Sequence, residues 1–169
     1  MEPKIEVVEK ALGSAIEMEN NIKMFEISRA MNSCFQTLAA YIGEDHLSEK
    51  NLFYARFVEI DWEEEINKGF FTKLWDTVTH KWHFYNGVTT PELLKSEEDI
   101  LTITHTLHTY LQATHTGSYY SVAETYKAMC EYAANEKLTL SNGSIEIYLN
   151  DPHEVPEEEL QTTILIQIH

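Results

Sequence analysis

The sequence predicts an α+β protein in which a strand–helix–strand–strand unit is used twice, a tandem βαββ duplication. Three observations carry that prediction. Stretches such as NLFYARFVEID (51–61), GSIEIYLNDP (143–152) and LQTTILIQIH (160–169) are β-branched and aromatic. They alternate with stretches in which apolar residues recur every three or four positions, the spacing of an amphipathic helix. The order of elements is the same in both halves of the chain. Finally, Phe35, Leu38, Tyr41 and Leu47 recur as Tyr126, Met129, Tyr132 and Leu138 at a constant offset of 91.

In chain order, residues 4–9 and 15–18 read as short strands around Gly13. Met24, Ile27, Met31, Phe35, Leu38 and Ile42 form a helical stripe over 24–42 that Gly43 stops. Residues 51–61 form a strand ending at Asp61, an N-cap with Glu64 at capping-box spacing. An inserted helix at about 62–80 presents Phe70, Phe71, Leu74, Trp75 and Val78, and HFYNGVT (83–89) is the next strand. PELLKSEED (91–99) is a charged connector. TLHTYLQATHTG is then a strand and 118–135 a helix, with Ser121 and Glu124 at capping-box spacing. GSIEIYLNDP and LQTTILIQIH are the last two strands. At 169 residues this makes a single domain, 1–169, with half one at 1–90 and half two at 100–169.

Composition narrows the function. Asp and Glu number 28 against 12 Lys and Arg, a formal charge of −16. A nucleic-acid surface needs clustered basic residues, so neither DNA nor RNA is an expected partner. Such acidity favours cationic ligands or a basic partner protein. The N-terminus lacks a signal-peptide pattern, and no apolar run approaches the roughly 20 residues that span a bilayer. The expected setting is cytoplasmic, as monomer or homodimer. Cys34 and Cys130 read as small thiols on apolar helix faces, without a disulfide framework.

The strand at 143–152 poses the central question. Ile145, Ile147 and Leu149 share one face, read as the core face, and Glu146, Tyr148 and Asn150 share the other. Glu146 then either faces water or lines a cavity and recognises something. Tyr54 and Tyr110 fall with Tyr148 on the same open face, while Trp75 and Trp82 are further aromatic candidates. Dropping one residue aligns Asp61 with Asp151, sets Ala55 and Phe57 with the core-facing Ile145 and Ile147, and puts Arg56 opposite Glu146. That offset of 90 is preferred because 91 would drive an unpaired guanidinium against the helices. His80/His83 and His105/His108 sit three residues apart, which on a strand points them to opposite faces, so no metal set is expected. No phosphate loop, Ser-His-Asp order or CxxC suggests a cofactor or an ordinary nucleophilic enzyme.

Two stretches resemble the gyrase-inhibitor-like effector-binding family. Tyr110-Leu-Gln-Ala-Thr-His-Thr-Gly-Ser-Tyr119 is similar to its strand followed by His-x-Gly-x-Tyr. Ile145-Glu-Ile-Tyr-Leu-Asn-Asp-Pro152, followed by Glu159-Leu-Gln-Thr-Thr-Ile-Leu-Ile, is similar to its Glu-x-Tyr strand, Asp-Pro turn and final strand. The resemblance implies two βαββ halves related by a pseudo-twofold, an antiparallel sheet with helices on one side, and a ligand cleft between the halves on the other. It also implies a free-standing member whose Glu146 points into that cleft.

The expected function is binding of a small aromatic or amphipathic, optionally cationic, molecule by Glu146, Tyr148, Tyr54, Tyr110, Arg56 and Trp75. Two alternatives stand beside it. One is an acidic accessory or inhibitor protein that holds a basic partner. The other is a hydrolase of reactive electrophiles, with Glu146 activating water and Tyr148 as proton donor. His115 is expected to fix the start of the second helix. Arg56 is expected to neutralise Glu146 across the halves.

Overall fold

The computed structural model describes residues 3–58, 60, 61, 64 and 80–169. Their elements run β1 (Ile5–Lys10), β2 (Gly13–Lys23), α1 (Ile27–Ile42), β3 (Phe53–Phe57), β4 (Lys81–Thr89), β5 (Leu101–His105), β6 (His108–Thr116), α2 (Val122–Glu136), β7 (Ser144–Tyr148) and β8 (Gln161–Gln167). The inserted helix at about 62–80, with Trp75, lies outside the described residues apart from its two ends. At the first of these, the Glu64 amide donates to Asp61 Oδ1 at 3.0 Å, the capping contact read from the sequence.

Two compact units form. One comprises Met1–Lys10, Val58–Asn67 and Leu107–His169, and the other Ala11–Phe57 and Lys68–Thr106. In the first, antiparallel strands run in the order β1-β6-β8-β7. In the second they run β5-β2-β4-β3. Each unit is therefore a βαββ repeat with one added edge strand, and each edge strand comes from outside its repeat in sequence. β5 is a strand that the sequence reading missed. LTITH is short and ends in a polar residue, and its pairing with β2 through Gly13–His105 to Glu17–Leu101 is what makes it extended.

Each helix covers one face of its own sheet. In the unit built on β2, Leu38 and Ile42 pack on Ile16, Val88 and Ile100. In the other, Tyr126, Met129 and Ala133 pack on Leu111, Ala113, Ile164 and Ile166. Burial of side chains of this size contributes about 1.5–3 kcal/mol each, enough to hold a helix that would not persist alone. The buried helix positions repeat at the predicted offset: Cys34, Leu38 and Ile42 in α1 against Thr125, Met129 and Ala133 in α2. Gly43, at φ 86°, stops α1 as expected. His115 fixes the entry to α2 through Thr125 Oγ1 (2.9 Å) and the Ser118 carbonyl (3.0 Å). Ser121 forms no side-chain cap: its backbone is helical (φ −95°, ψ −1°) rather than extended as a capping residue's is, and its hydroxyl donates instead to the Ser118 carbonyl at 2.8 Å.

The face reading of β7 needs correcting. Glu146 stands opposite Ile164 in register, and Ile164 belongs to the core under α2. Glu146 and Ser144 therefore lie on the helix side, while Ile145 and Ile147 lie on the face away from the helix, both buried. The correct offset for this strand is 91, not 90. Phe53 packs edge-on against Phe35 at 5.4 Å, so Phe53 and Ala55 face α1 while Tyr54 and Arg56 face away. One unit thus carries Phe35, Phe53 and Ala55 where the other carries Tyr126, Ser144 and Glu146. An apolar trio in one repeat is a polar, mutually bonded trio in the other.

Candidate functional site

The first site is on the face of the β5-β2-β4-β3 sheet turned away from α1. Glu17, in mid-β2, is 1% exposed. Arg56, from β3, meets it side-on: Nε donates to Oε1 at 2.9 Å and Nη2 to Oε2 at 2.5 Å. The Tyr54 hydroxyl donates to Oε1 at 2.9 Å. Its oxygen also lies 2.8 Å from His105 Nε2, on β5. Since the phenol's single proton goes to the carboxylate, His105 Nε2 is the donor in that contact. The Arg56 guanidinium lies over the Tyr85 ring, 4.2 Å from its centroid. The Tyr85 hydroxyl in turn donates to Glu19, which also meets His83 at 2.7 Å.

Burial pushes the Glu17 carboxyl up, but hydrogen bonds from Arg56, His105 and Tyr54 outweigh it and hold the group at about 2. Burial, and then the Glu17 charge, pushes the Tyr54 phenol up, so it stays a donor. Gly87 makes the cluster possible. A Cβ there would stand 2.2 Å from Tyr54 Cζ, so the Tyr54 ring occupies the space a side chain would take.

The second site lies under α2. Glu146 is 7% exposed, and its carboxylate accepts from the Tyr126 hydroxyl at 2.7 Å and from the Tyr148 hydroxyl at 3.1 Å. Tyr126 also meets Ser144 Oγ at 2.8 Å. Tyr119, 39% exposed, packs edge-on to Tyr148 at 5.8 Å, so aromatic rings lead from the surface toward the buried acid. Burial pushes the Glu146 carboxyl above the usual range, and the two phenols pull it only partly back. Among the described residues no cationic side chain meets it, a clear difference from Glu17.

The sequence-predicted residues are thus divided. Glu146 and Tyr148 come together. Arg56 and Tyr54 come together around Glu17, so Arg56 does not neutralise Glu146. Tyr110 alternates with the core residue Leu111 and so lies on the face opposite to Glu146. Trp82 is buried edge-on against Phe57, and Trp75 is outside the described residues. Cys34 is buried beside Asn20, and neither Cys34 nor Cys130 is in a disulfide. Glu17, His105, Tyr85 and Tyr126 were missed. Glu17 had a legible signal, an acid between Ile16 and Met18 in an alternating strand, the same signal that singled out Glu146. Among the described residues no helix is long and apolar enough to cross a membrane.

These features define an α+β small-molecule-binding module of the effector-domain class. The family model for the GyrI-like small molecule binding domain matches residues 49–169, and the chain belongs to that family. It is similar over its whole length to the C-terminal domain of EcmrR, covering 99% of that chain at 14% identity and a TM-score of 0.71. A hydrolase from Listeria innocua is similar over 99% of this chain and 92% of its own, at 13% identity and TM-score 0.63. The SAV2435 protein, solved bound to tetraphenylphosphonium, is similar over 100% of this chain and 94% of its own, at 12% identity and TM-score 0.58. No curated protein matches the chain.

Two outcomes follow from the Glu17 cluster. Its carboxyl is depressed from 4.5 to about 2, so its stabilisation is complete above the unfolded value and is lost as pH falls toward 2. That amounts to about 3 kcal/mol by linkage. In urea melts, wild type should lose this increment across that acid range and Glu17→Gln should not; parallel pH profiles would contradict the assignment. Gly87→Ala should displace the Tyr54 ring and cost about 1–3 kcal/mol, the range for overpacking. An unchanged melt would show that Tyr54 has room to move.

Proposed function

We propose that the chain binds a small lipophilic aromatic molecule carrying a positive charge, with Glu146 as the anchoring carboxylate. The observation that carries this reading is the state of Glu146. It is buried, its oxygens are held by two phenols, and no cation among the described residues neutralises it. A structural glutamate at such a depth is ordinarily paired, as Glu17 is, because an unpaired buried charge costs several kcal/mol. A cationic ligand would supply the missing charge, and Tyr148 and Tyr119 offer the aromatic faces such a ligand stacks on. Membership of the small-molecule-binding family and the likeness to a tetraphenylphosphonium-bound protein support the same reading.

Calorimetric titration with tetraphenylphosphonium tests it. Glu146→Gln should weaken binding by about 1–3 kcal/mol, the value of a lost charge-assisted contact. Affinity in wild type should rise with pH through the elevated Glu146 value, because only the carboxylate attracts the cation. The raised value also means that folding gains from Glu146 below its unfolded range and loses that gain as pH rises. Glu146→Gln should therefore melt at or above wild type at neutral pH. Equal affinity in the two proteins removes Glu146 from recognition, and a lowered melting temperature assigns it to the scaffold instead.

A further inference from the structure

Arg56 retains donors that its own ion pair does not use. A guanidinium has five N–H groups in one plane. Glu17 takes one from Nε and one from Nη2, the side-on edge. Both N–H groups of Nη1 and the second of Nη2 remain, and among the described residues none of them meets an acceptor. Two of these, one on each terminal nitrogen, run parallel and form the end-on edge of the fork.

That edge is held in place. Glu17 prevents rotation about the long side chain, and the Tyr85 ring below sets the plane. Glu17 is itself held by Tyr54 and by His105, whose Nε2 lies 3.4 Å from Oε1. The side chain of Arg56 is 24% exposed against 2% for Glu17, so the pair is closed on the acid's side and reaches solvent on the arginine's. Most of the entropy that a free arginine would lose on binding is already lost in the fold.

We infer that the end-on edge of Arg56 is a recognition point for a carboxylate group on a small molecule. Two parallel N–H donors match two coplanar oxygens, the fork-to-fork geometry that sets carboxylate apart from a point anion. The wider charge distribution narrows the class further. Glu17 already balances the guanidinium, and the chain carries −16 overall, so multiply charged phosphates are repelled. A single carboxylate gains the two hydrogen bonds for the least repulsion. Glu19, the next acid, is turned to His83 and to the far end of the Tyr85 ring. This inference stands apart from the Glu146 reading, because every residue it uses belongs to the other unit.

Benzoate is the probe, with benzyl alcohol as the control of similar size that lacks the paired oxygens. Titration of ¹⁵N-labelled protein, observed at the arginine side-chain resonances, reads Arg56 directly. Benzoate should shift the Arg56 Nε and Nη signals saturably, and benzyl alcohol should not. Arg56→Lys, which keeps the charge and loses the fork, should weaken benzoate by about tenfold or more. Tyr85→Leu leaves the Glu17 pair intact, removes the plate under the guanidinium, and should weaken it about threefold or more. If Arg56→Lys fails to fold, the wild-type signals and Tyr85→Leu still decide. Wild-type Arg56 resonances that do not respond to benzoate, or unchanged benzoate affinity in the folded variants, would overturn the assignment and leave the arginine as a structural partner of Glu17.

Discussion

A carboxylate taken out of water must be given donors, and much of one unit is arranged around meeting that demand for Glu17. Leaving it unsatisfied would cost several kcal/mol, a large share of the margin by which a domain of this size is stable. Its donors come from different strands: Arg56 and Tyr54 from β3, with His105 from the edge strand β5. The requirement reaches the backbone as well. Gly87 in β4 carries no side chain because the Tyr54 ring lies where one would be. Glycine weakens a strand interior, and here the close approach of the ring is what accounts for it. β5 is drawn into the same arrangement, since its last residue supplies a donor to the cluster.

The second repeat buries a carboxylate too, but on the opposite face and with weaker donors. Glu146 has two phenols where Glu17 has a guanidinium, a phenol and an imidazole. The difference shows in proton affinity: one acid is held well below its ordinary range and the other is lifted above it. Comparison of the repeats explains the hydroxyl on Tyr126. Its counterpart Phe35 packs on Phe53 with Ala55 nearby, and has no acid to satisfy. Tyr126 faces Ser144 and Glu146, and bonds to both. The two repeats share the helix contacts and differ in the polarity of one trio, which is apolar in one and mutually hydrogen-bonded in the other.

Membership of the GyrI-like family sets the general role, a small-molecule-binding domain, and likeness at 12–14% identity to three solved structures shows a shared fold. At such identities the side chains that choose a ligand are free to differ. The groups proposed for that role in this chain are a buried acid that no cation meets among the described residues, on one unit, and an arginine with an open edge on the other. The two chemistries are complementary, one suited to a positive group and the other to a carboxylate.

By itself the sequence determined the α+β class, the repeated βαββ order and the offset of 91 between the helices, though not the offset of the strand that follows them, because these depend on local periodicity and on which positions must be apolar. It also determined the stop at Gly43, the Asp61 cap and the role of His115, all of which are settled within a few residues of chain. Tertiary structure alone decided which face of β7 is covered. Alternation separates Ile145 from Glu146 with certainty, yet it cannot say which side the helix lies on when the helix brings a phenol to meet the acid. Tertiary structure also decided that Arg56 pairs with Glu17. Those residues are 39 positions apart, on strands that do not pair with each other directly but both border β4. No spacing rule joins them; the sheet order does, and the free energy of burying a charge selects the partner that order brings within reach.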